Sequence, residues 1–113
     1  MSSAATPAAD LPAPVRRALR SANGGDTDGF LDAFTDDGAV DDWGREFRGA
    51  DAIRGWSDAE FIGKQVTLDV TGVRTEGATT TVSAQVGGNG FTGPSDFAFT
   101  VQGDRIALLR ITG

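Results

Sequence analysis

The chain has 113 residues and a formal net charge of −6, from 10 Lys and Arg against 16 Asp and Glu, so one domain with a single modest core is expected. An acidic balance with arginines spread along the chain and one lysine, Lys64, argues against a nucleic-acid or anionic-membrane partner. His, Cys and Tyr are absent, which removes disulfides, thiol and imidazole catalysis, and thiolate or imidazole zinc sites.

The first residues, MSSAATPAADLPAP, are small and Pro-punctuated, with little to bury against the entropy of ordering. Residues 1–11 are therefore expected to be a disordered tail, and 12–113 a single domain. The stretch lacks the basic start and apolar core of a secretory leader, which predicts a cytoplasmic protein. From Pro14, the residues Val15, Ala18, Leu19 and Ala22 fall at i, i+3, i+4 and i+7, which predicts a helix ended by NGG. Asp26 is placed to cap a second, short helix with Phe30 and Phe34 one turn apart, closed by a turn at TDDG. After Gly49, Ile53 and Trp56 share a face of a third helix in ADAIRGWSDAEF. The period then changes: QVTLDVTGV and TTTVSAQV alternate apolar and polar residues as strands with one buried face. GGNG reads as a loop, FTGPSDFAFTV as a strand interrupted near Gly93 and Pro94, and IALLRIT as the last strand after a QGD turn. Helices first and strands after is the pattern of an α+β domain whose antiparallel sheet is covered on one side.

Three stretches, GDTDGFLDAFTDDGAVDDWG, FRGADAIRGW and DFAFTVQGDRIALLR, resemble the landmarks of the nuclear transport factor 2-like superfamily, which includes the SnoaL-like polyketide cyclases and the ketosteroid isomerases. The resemblance covers roughly residues 14–113. It implies a cone-shaped fold in which N-terminal helices pack in a curved, mostly antiparallel β-sheet around a pocket, commonly as a homodimer. It further implies an enzyme of cyclase or isomerase type that needs no cofactor. The runner-up is a non-catalytic ligand-binding or dimerisation module, since one fold hosts many functions.

The densest cluster of acids is TDDGAVDDWGREFRG, residues 35–49. Asp36 and Asp37 precede Gly38, where aspartates bond their own backbone in a turn. If AVDDW is a strand, Asp42 shares a face with Val40, whereas Asp41 and Trp43 point the other way. The resemblance implies that an acid at Asp42 is the general base that moves a proton beside a carbonyl. The competing readings are an exposed Asp42 or one held by an arginine as a structural pair.

Asp96 is the second candidate, because the isomerases carry near this place a protonated acid that bonds a developing oxyanion. Alternation puts Phe97, Phe99 and Val101 on one face and Asp96, Ala98 and Thr100 on the other, so Ser95 lies on the phenylalanine side unless a bulge at Gly93 and Pro94 resets the parity. The tyrosine that the isomerases place on the first helix is replaced by Ala18, and the Asp-His arrangement of the cyclases has no counterpart here. Trp43, Trp56, Phe47, Phe61 and Phe91 are candidates for the pocket wall, with simple core packing as the alternative. Arg110 points either into a polar pocket or to a dimer surface, and Arg45 and Arg48 read as solvated partners of the surrounding acids. The expected ligand is a hydrophobic molecule bearing a carbonyl or an epoxide. No calcium-loop spacing is present, so no metal site is expected.

Overall fold

The computed structural model describes residues 11–113. Of the expected tail, residues 1–10 lie outside this range, but Leu11 belongs with the domain. It is 5% exposed within the core, and the Arg16 guanidinium donates to its carbonyl at 3.0 Å.

Helix α1, Ala13–Gly24, buries Val15, Ala18, Leu19 and Ala22, the face that the spacing predicts. Gly25 adopts φ 71° and ends the helix, its N–H donating to the Ala22 carbonyl at 3.3 Å while Asp26 N–H donates to that of Ser21 at 2.9 Å. Helix α2, Thr27–Asp32, is capped by Asp26, whose carboxylate accepts from Gly29 N–H at 3.0 Å. Helix α3, Ala50–Glu60, buries Ile53, Trp56 and Ser57 and runs into one 3-10 turn at Ile62–Lys64. No helix among the described residues is long and apolar enough to cross a membrane.

Six strands follow the chain as β1 (Phe34–Asp42), β2 (Arg45–Arg48), β3 (Thr67–Glu76), β4 (Thr79–Gly87), β5 (Gly93–Gln102) and β6 (Arg105–Thr112). They form one curved sheet in the order β2-β1-β6-β5-β4-β3, antiparallel throughout except for the parallel pair β1 and β6. Its concave face carries Val82, Phe97, Phe99, Ile106 and Leu109, each no more than 2% exposed, against the three helices. The α+β cone with a mostly antiparallel sheet is thus the architecture of the chain.

Three local features depart from the sequence reading. The TDDG segment is not a turn after a helix but the irregular start of β1, where the register with β6 shifts between Phe34 and Ala39. Gly38 eases this approach, because a Cβ would stand a tight 3.1 Å from the carbonyl oxygens of both Ile106 and Thr35. Second, REFR forms an edge strand, its charges tolerated because one side of β2 has no neighbouring strand among the described residues. Third, the expected interruption at Gly93 and Pro94 is the start of β5, and its register with β4 runs unbroken from Gly93 to Thr100. The irregularity falls instead on β6, where Ala107 is the extra residue and both Ile106 and Leu109 reach the core.

Asn23 ties the last turn of α1 to the opposite sheet edge. Its Nδ2 donates to the Leu68 carbonyl at 3.1 Å and its Oδ1 accepts from Leu68 N–H at 2.6 Å. Replacing it leaves both partly buried backbone groups without this partner. Asn23→Ala is expected to cost about 2 kcal/mol in urea denaturation with an unchanged slope, and a loss below about 0.5 kcal/mol would show that water replaces the amide fully.

Candidate functional site

A cavity of about 520 Å³ opens between the end of α3, the 3-10 turn, the ends of β1 and β6, and the concave face of β4 and β5. Its wall is mostly aromatic and aliphatic, with Trp56, Phe61, Phe97 and Ile111 at depth. Trp56 stacks on Phe61 at 4.8 Å between ring centroids and leans toward Phe47 at 6.2 Å. At the mouth stand Trp43 and Phe91, 61% and 56% exposed. These two are the large exposed apolar side chains among the described residues, and they share one opening.

Asp42 ends β1 with its side chain on this wall, 14% exposed. Both of its recorded hydrogen bonds fall on one oxygen. Trp56 Nε1–H donates to Oδ2 at 3.1 Å, and Arg45 Nη2 donates to the same atom at 2.6 Å. Oδ1 takes no hydrogen bond from the described residues. The indole is itself fixed by burial and stacking, so it sets the orientation of the carboxylate as well as lining the cavity.

Arg45 reaches this position because the chain reverses tightly at Trp43 and Gly44, with φ of 54° and 91°. Positive φ at both central residues matches the twist of a two-residue hairpin, and the Asp41 carboxylate accepts from Gly44 N–H at 2.8 Å to close it. The guanidinium then lies between two acids. It contacts Asp42 and makes a bidentate pair with Glu60 at the end of α3, Nη1 to Oε2 at 3.0 Å and Nη2 to Oε1 at 2.7 Å. Its hydrogen bonds to Glu60 and then to Asp42 push its pKa above the usual value, and Arg45 in return holds the Glu60 carboxyl below its ordinary range. Lys64 and Ser95 complete the polar part of the wall.

The sequence candidates separate into two groups. Asp42, Trp43, Trp56, Phe61 and Phe91 meet at the cavity. Phe47 does not line it and packs behind Trp56. Asp96 is corrected: it lies on the convex face, where it accepts from Ser83 Oγ at 2.7 Å, because no bulge interrupts the alternation between Ser95 and Phe99. Ser95, 5% exposed, takes the inward place. Arg110 also points outward, between the buried Leu109 and Ile111, with its Nε 3.6 Å from an Asp41 carboxylate oxygen. Arg45 and Glu60 were not recognised as wall residues from the sequence. The three-residue step from Asp42 to Arg45 across a turn is a local signal, whereas nothing local links either to Glu60.

Residues 15–109 match the family of SnoaL-like domains. Comparison with curated proteins gives no significant match. Among solved structures, a candidate polyketide cyclase from Sinorhizobium meliloti is 28% identical and superposes with a TM-score of 0.85, over 93% of this chain and 98% of that one. A protein with a ketosteroid isomerase-like fold from Catenulispora acidiphila, in complex with trimethylamine, is 22% identical with a TM-score of 0.77, over 91% and 86% of the two chains. SalBIII, an epoxide hydrolase/cyclase-like enzyme of pyran ring formation in the polyether salinomycin, is 19% identical with a TM-score of 0.76, over 87% and 85%. With the match spanning nearly the whole domain, the chain belongs to the SnoaL-like family of the nuclear transport factor 2-like superfamily.

Proposed function

We propose that this protein is a cyclase or isomerase-type enzyme in which Asp42 acts as general base on a hydrophobic substrate bearing a carbonyl or an epoxide. The observation that carries the reading is a carboxylate at the wall of an apolar cavity with one oxygen held by Trp56 and Arg45 and the other without a hydrogen bond from the described residues. On a carbonyl substrate, Oδ1 would take a proton from the adjacent carbon. On an epoxide, it would take the proton of the hydroxyl that attacks the ring. The aromatic wall supplies apolar contact and excludes water, and Arg45 balances the charge of the paired acids. The relation to the candidate polyketide cyclase and to the cyclase-like SalBIII favours this chemistry over unrelated ones.

A second reading rests on the 2.6 Å contact from Arg45 to Asp42, which also fits a structural pair in a ligand-binding module without turnover. We also infer a homodimer formed through the convex face, where Thr79, Thr81, Ala98, Thr100 and Leu108 lie half-buried in register across three strands.

Asp42→Asn keeps the shape and removes the base. Screened on polyketide-like ketones and on epoxy alcohols, the parent should show turnover that the variant loses by at least about 100-fold, while its melting temperature falls by no more than about 4 °C, since Arg45 keeps Glu60. Equal, measurable rates in both proteins would sink the base assignment, and no turnover by either would leave the binding module.

The pH dependence of stability follows from Glu60. Its folded-state pKa is depressed below the ordinary 4.5 by the hydrogen bond from Arg45, against an opposing effect of burial. Such a group stabilises the fold above the unfolded pKa, and the contribution is lost as pH falls through the folded one. Because both partners are about half exposed, the parent should melt only about 2 °C above Glu60→Gln at pH 7, and the difference should narrow as pH falls below the ordinary 4.5 of Glu60. A gap that does not narrow as pH falls would mean that packing, not charge, is what the substitution removes. Light scattering at micromolar concentration should give twice the 11.7 kDa chain mass, and a monomer mass would overturn the dimer.

A further inference from the structure

Three polar side chains are buried among the described residues, and two of them have partners. Ser57 Oγ accepts from Ile62 N–H at 3.4 Å, and Thr80 Oγ lies 3.4 Å from Thr75 Oγ. Ser95 is the exception. It is 5% exposed and faces the cavity, and its hydroxyl has no hydrogen-bond partner among the described residues. A buried hydroxyl left unpaired costs free energy, and Ser95 shares the cavity wall with the apolar Phe97, Val86 and Ile111.

We propose that Ser95 Oγ–H is the donor that binds the substrate's acceptor oxygen, so that Asp42 and Ser95 hold the two ends of one reacting group. The proposal rests on the cavity reading given above. Sheet register sets the spacing: Asp42 pairs with Ile111, Ile111 with Phe97, and Ser95 lies two residues from Phe97 on the same face. Two strand steps and two residues along a strand separate the Cα atoms by about 12 Å. Both side chains line the same cavity at that spacing, so a ligand that spans it can place a carbonyl oxygen at Ser95 and a carbon conjugated with that carbonyl at Asp42. As the C–H bond breaks, its proton passes to Asp42 Oδ1. The electron pair then moves toward the carbonyl oxygen, where the Ser95 hydrogen bond meets the developing charge. The same donor would hold an epoxide oxygen as its C–O bond opens. Asp96, one residue on, is directed away from the cavity and has no part in this.

The test compares 1-tetralone with tetralin, which has the same ring system without the oxygen. Binding is followed by NMR titration up to the solubility limit, together with the infrared carbonyl stretch of bound tetralone. The parent is expected to bind tetralone about 3- to 10-fold more tightly than tetralin, with the stretch at lower wavenumber than in a hydrocarbon solvent. Ser95→Ala should lose the preference and the spectral shift while keeping its affinity for tetralin, and Ser95→Thr, which retains the hydroxyl, should keep both. Equal binding of the two probes by the parent, or a preference that survives in Ser95→Ala, would overturn the Ser95 assignment and leave the cavity reading standing. No binding of either probe would overturn both. Should Ser95→Ala fail to fold, the parent's carbonyl stretch decides alone, and an unshifted band rejects the proposal.

Discussion

Three short helices cannot cover the concave face of a six-stranded sheet. At about 1.5 Å per residue the two longer helices, α1 and α3, span less than 20 Å each, whereas six strands at roughly 4.8 Å occupy nearly 30 Å. Part of the inner face must therefore be filled by large side chains or left open. Around Phe99, Ile106 and Leu109 the helices close the core. Toward the ends of β1, β5 and β6 they do not reach, and the same inward alternation that builds the core there lines a cavity with Phe97, Ser95 and Ile111. Core and site are one surface, divided by how far α3 extends.

The polar chemistry sits where that surface changes owner. Asp42 is the last residue of β1, and its neighbour Trp43 starts the reversal that brings Arg45 back alongside it. A carboxylate at the edge of an apolar cavity needs a partner, because an unpaired buried ion is costly. Arg45 and the Trp56 indole supply one. That same satisfaction leaves a second oxygen directed by the first, so pairing and catalysis do not exclude each other here. Glu60 draws Arg45 toward α3 and joins the helix end to the β1–β2 hairpin across the opening.

Much of the fold was legible because it is written in local periods. The i, i+3, i+4 face of α1, the Asp26 cap, the Gly25 stop and the alternation of β4 are properties of adjacent residues, and each appears where the pattern placed it. The limits were also local. TDDG has the composition of a turn, yet its exposed aspartates are carried on an irregular strand that pairing with β6 holds in place. REFR has no apolar alternation to announce a strand, and it forms one because the preceding hairpin returns it to β1.

For the site, the sequence by itself determined the inventory: without His, Cys or Tyr, carboxylates are the main acid–base groups, and the aromatic residues near Asp42 are the available wall. It also determined relative facing within a strand, since Ser95 and Asp96 must lie on opposite sides wherever the strand is regular. What only the tertiary structure decided is which side is inside and which distant groups meet. Asp96 faces out because the β4–β5 register is unbroken, and Arg110 because the extra residue in β6 precedes it. Glu60 reaches Arg45 from 15 residues away, and Trp56 reaches Asp42 from 14, through the packing of α3 on the sheet. Alternation is a property of the backbone and can be read from neighbours, whereas the meeting of side chains from separate elements depends on how those elements pack, which no single stretch of sequence contains.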